Sequence, residues 1–152
     1  MKLVKGYRRG QGFIFRKDDP GFQGFQDSFQ ERFEEMLSDP ELRMINRNRG
    51  SGTRVLIDGL LGKHQPQGFL YEAKSHQAVA AAVAQSRADW GVAIRSVAED
   101  QGLGFIPLQD EEYDFIIPES RLQKPAVQAL IGLLDEKPII ERLEQMGLIR
   151  NP

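Results

Sequence analysis

Two spacings of hydrophobic residues alternate along this chain and predict short strands separated by helices. Short apolar runs predict strands at residues 13–15, 43–46 and 90–94. The run at 90–94 has no polar interruption, which is typical of a parallel strand covered on both faces. Aromatic and leucine residues at four-residue intervals predict one helix that ends near Ser38, with its apolar stripe at Phe25, Phe29, Phe33 and Leu37.

The middle of the chain continues this alternation. Residues 69–71 are predicted to be a short extended piece, and Ser75 is predicted to open the next helix. The small apolar residues at 78–84 favour close packing of that helix against a sheet. A short helix is predicted at 96–101.

The sequence of the last third of the chain predicts two strands followed by helices. The strands at 104–108 and 114–117 flank an acidic turn at 110–112. The first C-terminal helix has one apolar face, formed by Val127, Leu130, Ile131 and Leu134. Pro138 opens a last helix that stops at Gly147. Strands alternating with helices predict an α/β fold with a mostly parallel sheet and flanking helices.

The most informative segment is residues 46–54, between the strand at 43–46 and a helix at 55–61. A strand, a glycine-rich turn and a helix point several backbone N–H groups, and the positive end of the helix dipole, at one place. The serine and threonine hydroxyls add donors, and the arginines make the segment cationic. These features predict a site for a small anion with the ligand-binding residues Arg47, Gly50, Ser51, Gly52, Thr53 and Arg54.

This turn does not match the common nucleotide-binding patterns. No lysine follows Gly52, so the Walker pattern is absent, and the third glycine of a dinucleotide site is missing. A purely structural role stays open, in which Gly50 and Gly52 allow a tight turn while Ser51 or Thr53 caps the helix. Caps and anion sites use the same N–H donors, so the sequence does not decide between them.

A second predicted helix start, at Ser75 and His76, adds to this hypothesis. Ser75 is a good N-cap residue, and His76 could donate a hydrogen bond to an anion. As an isolated motif it is more typical of a cap. Ligands of α/β sheets gather at the carboxyl ends of the strands, so both helix starts could face one crevice.

Composition and charge exclude several classes of function. The 152 residues carry a net charge of −2, so no global attraction to nucleic acid or anionic membrane is expected. There is no cysteine, which excludes disulfides and thiol chemistry, and no histidine spacing indicates a metal site. The basic residues near the N-terminus predict a solvated or hinge-facing rim, made of Lys2, Lys5, Arg8, Arg9, Arg16 and Lys17.

No catalytic residue or cofactor is predicted. The acidic residues at 110–114 have no base, nucleophile or metal histidine in their pattern, and Ser51 lies in no G-x-S-x-G elbow. No apolar run of membrane-spanning length occurs, and the first residues lack the apolar core of a signal peptide. A soluble, cytoplasmic protein is therefore expected.

Five ordered blocks of this sequence resemble the type II periplasmic-binding-protein-like domain of molybdate- and tungstate-related proteins. That domain occurs fused to molybdotransferases of molybdopterin biosynthesis and to helix-turn-helix regulators. The blocks are 6–12, 46–54, 75–84, 87–95 and 102–108.

The resemblance implies two α/β lobes around a hinge, with the ligand in the cleft between them. Most of the first lobe of that domain has no counterpart here, because this chain starts at the crossover strand. We therefore expect one lobe with hinge-crossing strands at 1–118 and a C-terminal helical segment at 119–152, which packs on the hinge or on a partner chain.

The function that the resemblance implies is non-catalytic binding of a small oxyanion, with molybdate or tungstate favoured. The module would be a sensor or a substrate-binding domain linked to molybdenum cofactor biosynthesis. Two alternatives stay open: an enzyme-associated module that binds a phosphate of a pterin or nucleotide, and an interaction domain completed by a partner chain. The expected partners are the oxyanion and either a second copy of the chain or a chain that supplies the missing lobe.

Overall fold

The computed structural model describes residues 1–152, which form six strands and six α-helices. The strands are β1 (Lys2–Phe15), β2 (Met44–Arg47), β3 (Glu72–Ala73), β4 (Trp90–Ile94), β5 (Gly104–Ile117) and β6 (Ile149–Arg150). The helices are α1 (Phe29–Leu37), α2 (Gly52–Leu61), α3 (His76–Ala84), α4 (Arg95–Asp100), α5 (Pro125–Leu134) and α6 (Lys137–Gln145). None of these helices combines the length and the apolar character needed to cross a membrane.

The chain divides into two compact units. The larger unit is Gln11–Leu108, and the smaller unit combines Met1–Gly10 with Gln109–Pro152. The long strands β1 and β5 each contribute to both units. This division does not coincide with the boundary expected at 118/119, and the packing of 119–152 on a hinge or a partner chain stays a prediction.

The larger unit confirms the α/β class, with a sheet flanked by helices. Strand β2 pairs in parallel with β3 on one side and with β4 on the other. The end of β1 joins antiparallel to β4, with Gln11 opposite Ile94 and Phe15 opposite Trp90. The sheet is therefore mixed, and its parallel part is β3–β2–β4, as the uninterrupted apolar run at 90–94 predicts.

One face of the larger unit is packed with aromatic side chains. Phe13 has no exposed surface, and its ring lies 5.3 Å from the rings of both Phe25 and Trp90, measured between centroids. The predicted helix through Phe25 is wrong at its beginning. Residues 25–28 form a 3-10 turn that follows Gly24 at φ +67°, and the α-helix begins at Phe29. Phe25 still joins the apolar cluster, and its ring is stacked on that of Phe13.

The other face is covered by the alanine-rich helix α3, as the sequence predicts. Val79, Ala80 and Val83 of α3 are completely buried. Gly91 of β4 permits this close packing, since a Cβ atom there would lie 2.8 Å from Val79 Cγ1 and 2.9 Å from Ile45 Cγ2.

The smaller unit corrects the prediction of an acidic turn. Residues 110–112 lie within the continuous strand β5, which runs from Gly104 to Ile117. Glu111 is accommodated in this strand because Arg9 of β1 neutralises it: Arg9 Nε lies 2.9 Å from Glu111 Oε2. The Arg9 guanidinium also lies over the Tyr113 ring, at 4.8 Å from its centroid. Part of the basic rim is thus paired across strands.

Asp114 joins three segments of the smaller unit. Its carboxylate accepts hydrogen bonds from Gly6 N at 3.0 Å, Lys5 Nζ at 3.2 Å and Asn151 Nδ2 at 3.4 Å. The bond from the Gly6 N–H, followed by those from Lys5 and Asn151, holds the pKa of Asp114 below its ordinary value.

We expect Gly91→Ala to destabilise the protein by ~1–3 kcal/mol, because the added methyl overpacks the contact between α3 and β4. The matched control is Gly59→Ala in α2, where an added Cβ meets no atom within 4 Å. That control should stabilise the protein by roughly 0.5–1 kcal/mol through helix propensity. Urea denaturation measures both, and equal effects of the two variants would contradict the tight packing at Gly91.

A second prediction concerns acid pH. Because the folded-state pKa of Asp114 is lowered, its carboxylate stabilises the folded state above the unfolded pKa of about 3.9. This contribution is lost as the pH falls through the folded-state pKa. The difference in unfolding free energy between the wild type and Asp114→Asn should be constant above about pH 5 and shrink below about pH 4. A difference that does not change with pH would show that the charge of Asp114 has no part in stability.

Candidate functional site

The parallel pairing of β2 with β3 brings two helix starts to one edge of the sheet. Asn46 lies opposite Glu72, and Arg47 opposite Ala73, so the two strands end at the same level. Asn48 N, just beyond β2, donates a hydrogen bond of 3.0 Å to Ala73 O. Helices α2 and α3 follow these strands, and both therefore begin at the carboxyl edge of the parallel sheet, as predicted.

Both helices have serine N-caps. Ser51 Oγ accepts a hydrogen bond of 3.1 Å from Arg54 N, and Ser75 Oγ accepts one of 3.1 Å from Ala78 N. In each helix the cap uses the third N–H group, whereas the first two have no acceptor within the helix. The capping role that the sequence left open is thus realised, and the N–H groups of Gly52 and Thr53 in α2, and of His76 and Gln77 in α3, make up the rest of each first turn.

A buried arginine lies beside the start of α3. The side chains of Arg47 and His76 are 8% and 9% exposed. Arg47 Nη1 lies 3.3 Å from His76 Nδ1. The structure therefore brings together two residues that the sequence assigned to the anion site from separate motifs.

Arg54 is held by other residues of the protein. Its Nε donates to Asp58 Oδ1 at 2.7 Å, and its Nη1 donates to Glu72 Oε1 and to Arg47 O, each at 2.9 Å. Burial lowers the pKa of Arg54, but the hydrogen bonds and charges of Asp58 and Glu72 outweigh this effect and raise its pKa above the ordinary value. Two carboxylates thus already balance the charge of Arg54, and its assignment as an anion ligand stays a prediction.

Two hydroxyl groups of the segment are also engaged. Thr53 Oγ1 donates a hydrogen bond of 2.6 Å to Gln11 Oε1, and both residues are buried. Ser51 Oγ donates to Asn48 O at 3.1 Å while it caps α2. Thr53 Oγ1 and Ser51 Oγ thus have partners within the chain, whereas the first N–H groups of α2 and α3 have no acceptor within their helices.

The turn itself depends on Gly50. Its φ of +88° lies in the left-handed region, and a Cβ there would meet no atom within 4 Å. The glycine is therefore required by backbone conformation and not by close approach of another group. Gly50 and Gly52 are both exposed, so the beginning of α2 is open to solvent.

Three residues that contact the candidate site were not predicted from the sequence. Gln11 is remote in sequence from Thr53, and no local pattern indicates their contact. Glu72 reaches Arg54 only because β2 and β3 pair in register. Asp58 was detectable, because an arginine and an aspartate four residues apart on a helix form an ion pair.

Comparison with known proteins identifies the class of domain. A family model described as PBP superfamily domain matches residues 1–135. The uncharacterised protein YvgK of Bacillus subtilis (strain 168) is 32% identical over 148 residues, which cover 93% of this chain and 45% of YvgK. The chain thus spans less than half the length of this relative.

Solved structures of binding proteins share the fold at low sequence identity. One is described as a phosphate ABC transporter substrate-binding protein with bound phosphate, from Clostridium perfringens. It is 15% identical, with a TM-score of 0.69, over 99% of this chain and 72% of that one. MatC from Rhodopseudomonas palustris, solved with bound malate, is 15% identical with a TM-score of 0.63, over 96% of this chain and 59% of MatC.

Proposed function

This chain belongs to the PBP superfamily, and from that premise we propose that it is a non-catalytic domain that binds a small oxyanion. The proposed anion site consists of the first-turn N–H groups of α2 and α3 (Gly52, Thr53, His76 and Gln77) together with the side chains of Arg47 and His76. The observation that carries the proposal is the position of the buried Arg47, which ends β2 and contacts the first residue of α3.

Electrostatics support a negatively charged ligand at this place. Each helix N-terminus carries a partial positive charge, which favours an anion by typically about 0.3–1 kcal/mol. Arginine is the cationic side chain best suited to binding oxyanions, and Arg47 is taken out of water by burial. An oxyanion at this edge receives short hydrogen bonds from N–H groups, and its charge lies close to the guanidinium.

The identity of the anion is the finer part of the proposal. The donors fit a tetrahedral oxyanion in general. Molybdate or tungstate is proposed first because of the sequence resemblance, and phosphate is the alternative favoured by the phosphate-bound structural neighbour. The cytoplasmic location expected from the sequence also stays a prediction.

The proposal predicts that Gly52→Val abolishes oxyanion binding and leaves the fold intact. Gly52 is exposed and does not have a positive φ, so the protein tolerates the side chain while its branched carbons cover the first N–H groups of α2. Isothermal titration with molybdate, tungstate, phosphate and sulfate measures the effect. Gly59→Val, on the same helix, is the matched control and should bind as the wild type does.

The Ser75→Ala variant distinguishes the effect of Ser75 on helix stability from its effect on ligand binding. It should lower stability by ~1 kcal/mol through loss of the cap of α3, and weaken binding only modestly. Unchanged titration of the Gly52→Val variant, or no binding of any of the four anions by the wild type, would contradict the proposal.

We also propose that the smaller unit associates with a second copy of the chain. Large apolar side chains of this unit are exposed, among them Ile116 at 66%, Leu133 at 42% and Leu130 at 39%. Exposed apolar area of this kind is typical of interaction surfaces, and symmetric dimers are the commonest oligomers. Charged substitutions on α5 should therefore reduce association.

Light scattering at high micromolar concentration tests this proposal. The wild type should have the mass of a dimer, and Leu130→Glu with Leu133→Glu should have the mass of a monomer. Lys137→Glu, at an exposed polar position of α6, is the control. A wild type that is strictly monomeric at this concentration would rule out the second copy as the occupant of this surface.

A further inference from the structure

A cavity of about 670 Å³ lies at the amino ends of β2 and β4, the edge of the parallel sheet opposite the anion site. Its wall includes Arg43, which precedes β2, and Arg87, which lies shortly before β4, together with Gln67, Phe69, Leu70 and Tyr71 of the loop before β3. We call this cavity the basic cavity. Its volume is within the range of about 300–1,000 Å³ that is typical of small-molecule sites, and larger than an inorganic oxyanion needs.

The loop that forms the wall is fixed to β2. Met44 N donates to Gln67 O at 2.8 Å, and Asn46 N donates to Tyr71 O at 2.8 Å. Asn46 Nδ2 adds a bond of 3.0 Å to Phe69 O. Gly68, at φ +88°, lies so close to Met44 O that no side chain could be added there. The cavity therefore has a preorganised wall.

Two guanidinium groups at this wall are not neutralised within the chain. Arg87 Nη1 donates to Tyr71 Oη at 3.1 Å and its Nε to Gln85 Oε1 at 3.2 Å, so its partners are uncharged. Neither arginine has a carboxylate within ion-pair distance, and no carboxylate lines the basic cavity.

Asp89, an acidic residue close to Arg43, is bonded to other groups than the two guanidinium groups of the wall. Asp89 Oδ1 lies 2.9 Å from Arg16 Nη2, and Asp89 Oδ2 accepts from the backbone N of Arg43 at 2.8 Å. Arg43, Arg87 and Gln67 also line an adjoining cavity of about 290 Å³, to which Glu41 and Asp89 contribute the carboxylates. The two arginines thus lie between the two cavities, and the basic cavity is the one without a carboxylate in its lining.

Apolar groups lie next to this charge. The side chain of Leu70 is 82% exposed, and Tyr71, whose hydroxyl orients Arg87, is 43% exposed. A fixed loop that holds a leucine and an aromatic ring in water beside two arginines is complementary to a ligand with one anionic end and one apolar body.

We propose that the basic cavity is a second binding site, separate from the anion site, for a small aromatic carboxylate. The planar guanidinium of Arg87 pairs with the carboxylate through two parallel hydrogen bonds, and Arg43 adds charge. The aromatic body packs on Leu70 and against the Tyr71 ring in an offset arrangement. This function does not depend on oxyanion binding at α2 and α3.

Titration of the amide NMR spectrum of the whole chain with phenylacetate tests the proposal. Saturable shifts are expected for the amides of residues 65, 67–71 and 87, but not for those of Gly52, Thr53, His76 or Gln77. Arg87→Gln and Arg43→Gln should each weaken binding roughly tenfold or more, because each removes a charge-assisted interaction. Arg121→Gln, an exposed arginine of the smaller unit, is the matched control and should bind as the wild type does.

Two further ligands separate the contributions of charge and apolar contact. Phenylacetamide, the neutral analogue, should bind at least tenfold more weakly than phenylacetate, and inorganic phosphate should leave residues 65–71 unshifted. The proposal is overturned if phenylacetate gives no saturable shift at this loop, or if phosphate binds there with the same affinity as phenylacetate. It is also overturned if the Arg87→Gln variant binds phenylacetate with wild-type affinity, provided that its dispersed spectrum shows that it is folded. Loss of oxyanion binding alone would not affect these results.

Discussion

The parallel pairing of β2 with β3 is the constraint on which the proposed anion site depends. The register of Arg47 with Ala73 ends both strands at one level, and the helices that follow start at the same edge of the sheet. The same register brings Glu72 to Arg54 and Arg47 to His76. A shift of one residue would turn these side chains to the other face of the sheet and separate the two helix starts. The ordered loop at 65–71, which is bonded to β2 along its length, holds β3 in this register.

Charge at this edge is arranged in two ways that have different consequences. Arg54 is balanced by Asp58 and Glu72 and stabilises the beginning of α2. Arg47 lies beside a histidine, and the adjoining backbone N–H groups belong to first helical turns that lack acceptors within the helix. The first arrangement engages Arg54 with two carboxylates of the chain, and the second is the arrangement that we propose to bind a ligand. A preorganised set of donors of this kind binds an anion without the cost of ordering flexible side chains.

The sequence predicted those parts of the structure that depend on local pattern. The strand at 90–94 and the helix that follows Ser75 were placed correctly, because burial on both faces and a serine cap are local signals. The continuous strand β5 was missed, since a run of acidic residues is typical of a turn and the pairing of Glu111 with Arg9 joins segments that are remote in sequence. The 3-10 turn at Phe25 was missed because its phenylalanine keeps the spacing of the α-helix that follows.

For the candidate site, too, the sequence predicted the features that depend on local pattern. Its glycine turn and two serine caps can be recognised from residue order alone, and Arg47 and His76 were assigned from the segments around them. Their contact, and the engagement of Thr53 by Gln11, depend on strand pairing between remote segments. The sequence therefore predicts which residues make up the candidate site, and the fold shows which of them contact one another.

The most direct test of oxyanion binding is the response of individual backbone amides to the ligand. We expect molybdate or phosphate, titrated into the isotopically labelled chain, to shift the amide signals of Gly52, Thr53, His76 and Gln77 together and with one saturation curve. Common saturation of both helix starts would show that a single anion contacts α2 and α3. Absence of shifts at these four amides at millimolar oxyanion, or separate curves for the two helices, would contradict the account.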